Sequence, residues 1–129
     1  MASKVNLQNL KNRVFVNEDQ VAVKKMSSKL FEGWRILLDN KACGYVKFFP
    51  KYDPIFHQHV TVDFAIPKPK RGLHIGRFGL KKAIDASVHH LFVAYLRKSN
   101  LASKKVLFSV GFSETKNTSN QMCMTYTKK

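Results

Sequence analysis

A single mixed α/β (α+β) domain is the fold this sequence predicts, and three observations predict it. Apolar residues alternate with period two in a hairpin over residues 34–49 and in a strand over 59–66. They recur at helical spacing after Gly76 and between Asn100 and Gly111. At 129 residues, 44% of them hydrophobic, the chain holds one folded core and is too short for two domains.

In chain order, residues 1–12 carry Val5, Leu7 and Leu10 among polar neighbours and suit an arm or a first strand. Arg13 to Val16 reads as a short strand. Acidic Glu18 and Asp19 then mark a helix start, and Val23, Met26, Leu30 and Phe31 at helical spacing predict a helix over 18–31, ended by Gly33. Trp34–Leu38 and Cys43–Phe49, joined by a turn at Asp39-Asn40-Lys41, read as an antiparallel hairpin, and 50–58 as a loop. His59–Ile66 has apolar residues on both faces and reads as a central strand. Leu80, Ala83, Ile84, Val88 and Leu91 form the stripe of a long helix starting at Gly76. The stretch Leu91–Leu96 either extends that helix or forms a strand, since Val93 and Tyr95 suit both. Ser99-Asn100 supplies an N-cap and Gly111 a C-terminal stop for a helix over 101–110, and Phe112-Ser113 with Met122–Thr127 supply closing strands.

The compositional outlier is charge. The chain carries 23 Lys and Arg against 8 Asp and Glu, a formal +15, which implies a polyanionic partner, an acidic substrate or a phosphate-rich cofactor. Cys43 and Cys123 lack the spacing of a zinc or redox site and read as reduced thiols in core or strand, with a single disulfide as the alternative. His89-His90 has no third ligand at helical spacing and reads as a turn, so no metal site is expected. No apolar segment has the length of a signal sequence or a membrane span, and the expectation is a cytoplasmic protein without a membrane partner.

The chemistry concentrates between Ile66 and Gly76, where a strand end runs through a basic turn into a helix start. The first turn of a helix has backbone N–H groups without intrahelical partners, and anions collect there. Lys68, Lys70, Arg71 and Arg77 surround this turn, and no acidic residue lies between Asp63 and Asp85. Taken alone, such a turn is either an anion seat or a solvated connection.

Two separated stretches favour the anion seat by resemblance. Val62–Ile66 followed by Arg71-Gly72-Leu73-His74-Ile75-Gly76 resembles the central strand and Arg/Gln-x-x-Gly-x-Gly/Ala loop of the GNAT family of acetyl-coenzyme A dependent N-acetyltransferases. Asn100 to Phe112, with Ser103 and Gly111, resembles the family's Asn-x-x-Ala/Ser helix ending in Gly-Phe. The resemblance spans about residues 34–127 and implies one GNAT-like domain over 1–129. It implies a mixed, mostly antiparallel sheet flanked by helices and splayed at the cofactor-binding strands.

The cofactor implied is acetyl-CoA. Loop amides over about Leu73, His74, Ile75, Gly76 and Arg77 would hold its pyrophosphate, Arg71 and Gly72 belong to the same cofactor-binding loop, and Phe64, Ala65 and Ile66 would bond the pantetheine arm. Asn100 would contact the far end of the arm, and Ser103 would lie near the sulfur. The sequence departs from the family pattern twice: His74 replaces a motif glycine, and Leu107 stands where many members carry a tyrosine that reprotonates the thiolate. A serine at the fourth helix position without that tyrosine resembles the branch that acetylates N-terminal amines of ribosomal proteins. Ser103 is then the candidate general acid, the alternative being a simple N3 residue of a capped helix; Tyr95 and Tyr126 are further candidates to approach the thiolate. His57, His59 and Asp63 are candidate bases, with His59 the first choice because an imidazole titrates near neutral pH.

Family members spend two helices between their first and second strands, shaping the acceptor pocket; here about 17 residues separate Val16 from Trp34. The acceptor region is therefore expected to be short and open. That suits a macromolecular amine, a protein N-terminus or a lysine, on a monomer or homodimer. The alternative is a catalytically impaired GNAT-like module that binds a partner or nucleic acid through its basic surface. Nucleic acid is the less favoured partner, because Phe48, Phe49, Tyr52, Phe56 and Phe92 form no recognisable stacking motif and the hairpin pattern places several of them in the core.

Overall fold

The computed structural model describes residues 14–117 and 120–129. Its strands and helices follow the order β1 (Val21–Met26), β2 (Glu32–Leu38), β3 (Lys41–Asp53), β4 (His57–Ala65), α1 (Ile75–Ala86), β5 (Leu91–Arg97), α2 (Leu101–Val110), β6 (Ser113–Asn117) and β7 (Gln121–Thr127). The strands form one sheet in the order β1-β2-β3-β4-β5-β7-β6. Every neighbouring pair is antiparallel except β4 with β5, which is the mixed, mostly antiparallel sheet expected.

The hairpin of β2 and β3 turns on Asp39 and Asn40, both at positive φ, as a two-residue loop with matching strand twist requires. The Asn100-capped helix forms over the predicted residues: Asn100 Oδ1 accepts from the Ser103 amide at 3.1 Å, and Gly111 takes the left-handed C-terminal position. The ambiguous Leu91–Leu96 stretch is strand. His89 and His90 lie in the link between α1 and β5, and Cys43 and Cys123 are both buried thiols not joined in a disulfide. Burial pushes the Cys43 thiol up, against the opposing pull of Lys70, so it stays protonated.

The helical stripe expected to run on to Val88 and Leu91 stops with α1 at Ala86, leaving Val88 75% exposed and Leu91 in β5. Three further expectations fail. The helix over 18–31 is not formed: Glu18–Gln20 is one 3-10 turn, and β1 follows at once. The apolar spacing was met by a strand instead, because β-branched Val21 and Val23 pair in full register with Leu38 and Ile36 across β2, and that pairing outweighs local propensity. Gly33 lies inside β2 and terminates nothing. The short strand at 13–16 is also absent, as residues 14–17 are irregular; the arm or strand expected over 1–12 lies outside the described residues. Finally, the loop expected over 50–58 shrinks to 54–56 because β3 runs through Pro50 to Asp53. Proline is tolerated there because the register with β2 ends at Glu32↔Phe48, leaving no β2 carbonyl for a residue 50 amide to serve.

Both helices lie on one face of the sheet. Ile36, Val46, Phe48, Val60, Phe92, Leu96 and Met124 meet Leu80, Ala83, Ile84 and Leu107 in a single core, with Phe48 edge-on to Phe92 at 4.9 Å. Two lysines fasten α1. Lys82 Nζ donates to the Glu18 and Val21 carbonyls at 2.8 and 2.5 Å, holding the chain before β1. Lys128 Nζ donates to the carbonyls of Ile84, Asp85 and Ser87 and satisfies the C-terminal end of α1. Among the described residues no helix covers the opposite face. No helix among them is long and apolar enough to cross a membrane.

Candidate functional site

The parallel pair β4 and β5 is in register only at Val60↔Phe92 and Thr61↔Val93. Beyond those residues the strands part, and their unpaired edges are free to bond a ligand. The end of β4 leads through the Lys68–Lys70 turn into α1, so the open strand edge and a helix N-terminus stand side by side. A cleft of about 730 Å³ lies at this junction, bounded by Phe64, Ala65 and Ile66 on one side, the loop and first turn of α1 on another, and α2 on the third.

Among the described residues nothing bonds the amides at the mouth of α1. The first intrahelical bond runs from Phe78 N to His74 O, which leaves the N–H groups of Ile75, Gly76 and Arg77 without one, and the N-cap residue His74 makes no side-chain cap. Lys70, Arg71, Arg77 and Lys105 line the same cleft, and among the described residues no carboxylate does. Donors, dipole and side-chain charge therefore point one way, toward an anion. Arg71 also shapes the site, its Nε donating to the Ile66 carbonyl at 2.9 Å and tying the loop to the end of β4.

His74 occupies the left-handed region at φ 72°, where a glycine would be unstrained. Its ring stacks on Phe15 at 3.9 Å with an interplanar angle of 1°, while Val16 N donates to Leu73 O at 3.1 Å. The segment before β1 thus holds the loop in the conformation its sequence disfavours. Left-handed strain of about 1–2 kcal/mol opposes a ring contact of about 0.5–1.5 kcal/mol. His74→Gly removes both and is expected to leave stability near that of the wild type, whereas His74→Ala keeps the strain, loses the stack and should destabilise by about 1 kcal/mol in urea unfolding. Burial first, and Arg77 second, hold the imidazole pKa below its ordinary 6.5. The unfolded chain then binds the proton more readily, so this group's contribution to stability is complete above pH 6.5 and declines as the pH falls through that range.

Of the residues singled out in the sequence, Phe64, Ala65, Ile66, Arg71, Gly72, His74, Ile75, Gly76, Arg77, Asn100 and Ser103 all line the cleft. Leu73 does not; its carbonyl faces Val16. Nor does the structure bring His59 there. Its side chain is 1% exposed, its Nδ1 lies 2.8 Å from His57 O, its Nε2 lies 3.7 Å from Asp53 Oδ2, and Phe56 packs edge-on against the ring. His59 fastens the β3–β4 turn. Tyr126 sits against Phe112 and Phe92, and Tyr95 stands on the helix-free face, its hydroxyl pKa raised by burial, Cys123 and Asp53. Neither lines the cleft. Sequence reasoning overlooked the α2 wall, which is Ala102, Lys105, Val106 and Ser109. Their i, i+3, i+4, i+7 spacing is the signal that marks them as one helix face.

No protein-family model matches this chain, and no curated protein matches it in sequence. Solved structures do match. A GNAT-family acetyltransferase from Streptococcus agalactiae superposes with a TM-score of 0.63 at 14% identity, covering 75% of this chain and 65% of that one. The ribosomal L7/L12 alpha-N-protein acetyltransferase RimL, in complex with coenzyme A, gives 0.64 at 15% identity, covering 77% and 63%. The putative acetyltransferase yncA from Salmonella typhimurium, with its cofactor acetyl-CoA, gives 0.65 at 19% identity, covering 77% and 65%. The chain thus spans a little under two thirds of the length of each. Its splayed mixed sheet, with the anion-seeking cleft at the parting of β4 and β5, is the fold of the GNAT-family acetyltransferases.

Proposed function

We propose that the chain is an acetyl-coenzyme A dependent N-acetyltransferase acting on an amine of a protein or peptide. The observation that carries this reading is the convergence on one cleft of three unpaired α1 amides, four cationic side chains and an unpaired β4 edge. A dinucleotide-like pyrophosphate needs the first two, and an amide-bearing pantetheine arm needs the third. Lys70, Arg71, Arg77 and Lys105 neutralise the phosphates, and the amides of Ile75 to Arg77 fix them. Asn100 spends its carboxamide oxygen on capping α2 and keeps its N–H groups for the arm. Bound there, acetyl-CoA supplies an activated thioester.

A neutral amine bound beside it would take the acetyl group as the C–S bond breaks, and the proton that the amine nitrogen gives up would balance the one that the departing sulfur takes. β4 backbone amides would polarise that carbonyl, and the hydroxyl of Ser103, a cleft residue whose amide is fixed by Asn100, would pass its proton to the sulfur and take up the one the amine releases. With no carboxylate lining the cleft and its one imidazole at the start of α1, an α-amine suits the site better than a lysine. An α-amine has a pKa of about 8 and is partly neutral at physiological pH, whereas a lysine near 10.4 needs a base to release its proton.

Thermal unfolding with acetyl-CoA, coenzyme A and a duplex oligonucleotide at matched ionic strength tests the reading. At a hundredfold excess over Kd, the two cofactors should stabilise by about 2.7 kcal/mol and continue to do so at high salt. Stabilisation by the duplex alone would overturn it. Ser103→Ala leaves the backbone cap intact and should retain cofactor binding while lowering kcat about a hundredfold against a peptide panel. Unchanged turnover would remove Ser103 from the mechanism.

A further inference from the structure

We propose that the helix-free face of the sheet, on the side away from α1 and α2, binds single-stranded nucleic acid. The site is separate from the cleft and does not depend on the acetyltransferase reading. Strand register places its residues. Lys24, Arg35 and Tyr45 are successive cross-strand partners in one row, and Met26, Gly33, Lys47 and Asp63 form the next. Phe49 and Lys51 follow along β3, opposite Thr61 and His59.

The aromatic residues cluster on this face, with Lys47 between Phe31 and Tyr45. Phe31, just before β2, lies over Gly33: a Cβ built there would fall 2.7 Å from the Phe31 ring and 2.8 Å from Met26 Cε, so glycine is what seats the ring on the sheet. Phe31 meets Phe49 at 5.2 Å, and Lys47 Nζ sits 5.0 Å from the Phe31 centroid and 4.4 Å from that of Tyr45. Phe31, Tyr45 and Phe49 are half-buried, each keeping part of its surface open. Phe49 is therefore not a core residue like its neighbour Phe48, as alternation in a strand dictates.

Charge complements the rings. Lys24, Arg35 and Lys51 are exposed around them, with Lys47 between them. The two carboxylates on this face are occupied within the protein. Asp53 accepts from the amides of Ile55 and Phe56 at 2.9 and 2.7 Å, and Asp63 accepts from the Tyr45 hydroxyl at 3.4 Å. An open sheet with half-buried rings interleaved with cations offers stacking surfaces to unpaired bases and counter-charges to their phosphates. A duplex hides its base faces, and an acidic peptide uses the charge but not the rings, so single strands are the ligand that uses both.

Fluorescence anisotropy on the full chain tests this, with an oligothymidylate of about a dozen nucleotides. The single strand should bind at least about tenfold more tightly than a duplex of equal length or a polyglutamate of equal charge. Phe31→Ala should weaken binding about tenfold, with circular dichroism unchanged. Lys24→Gln with Arg35→Gln, both exposed and remote from the core, should lower the salt slope of log affinity by about 1.4, two phosphates at about 0.7 each. Equal binding of duplex or polyglutamate, no binding of the single strand, an unaltered Phe31→Ala affinity or an unaltered salt slope would each overturn the proposal. So would weakening by Arg71→Ala, which would put the strand in the cleft.

Discussion

Gly44→Ala is expected to lower the free energy of unfolding by about 3 to 4 kcal/mol, the sum of backbone strain and overpacking at one position. Gly44 has φ 120°, which a residue with a Cβ rarely adopts, and it lies in the irregularity of β3 where the register with β2 shifts between Arg35 and Leu37. A Cβ there would run into the Ala65 carbonyl oxygen and approach Ile66 Cδ1 to 3.1 Å. The first neighbour is backbone and cannot swing aside. Gly76→Ala is the internal control: its Cβ would meet Ile66 Cγ1 at 3.4 Å, an ordinary contact, so its stability should change by less than about 1 kcal/mol. Urea unfolding of the two variants with a common slope checks the contrast, and equal midpoints would refute it.

The same substitution reaches the site. Ala65 and Ile66 form one wall of the cleft, and Ile66 O is the anchor for Arg71. Displacing Ala65 therefore moves the strand end that positions the loop, and whatever Gly44→Ala protein remains folded should bind coenzyme A more weakly than the wild type.

How much of this was legible in the sequence follows from how local each signal is. The Asn100 cap, the Gly111 stop and the strand–turn–helix passage from Phe64 to Gly76 are decided by residues a few positions apart, and each forms where the sequence puts it. Val23, Met26, Leu30 and Phe31 fit a helical stripe, but what decides segment 18–31 is pairing across the sheet, with β2 for Val23 and Met26 and with Phe49 of β3 for Phe31. His59 had the right chemistry for a base, but titration range says nothing about place, and the chain turn at Asp53–Phe56 encloses it. Lys105, Val106 and Ser109 escaped notice because only the docking of α2 decides which of its faces looks into the cleft. His74 is the converse case. The sequence showed a residue in a glycine position, and the structure supplies the reason it is tolerated, a ring stack from Phe15.

Arg71→Ala should weaken coenzyme A binding about fiftyfold, near the middle of the range for a lost charge-assisted hydrogen bond. Two contributions combine in that side chain. Its guanidinium adds positive charge at the rim of the α1 amides, and its Nε–H holds the Ile66 carbonyl at 2.9 Å, which fixes the loop to β4. Arg71→Lys separates them, since an ammonium keeps the charge but cannot reproduce the planar donor geometry. If charge dominates, lysine restores most of the affinity and the remaining loss shrinks with salt; if loop position dominates, lysine and alanine bind alike and the deficit persists at high salt. Titration calorimetry of both variants at two ionic strengths reads the split. Because Arg71 is exposed, unfolding midpoints should move little, so loss of binding cannot be ascribed to loss of fold. Unchanged affinity in Arg71→Ala would mean that the anion seat at the start of α1 does not hold the coenzyme's phosphates.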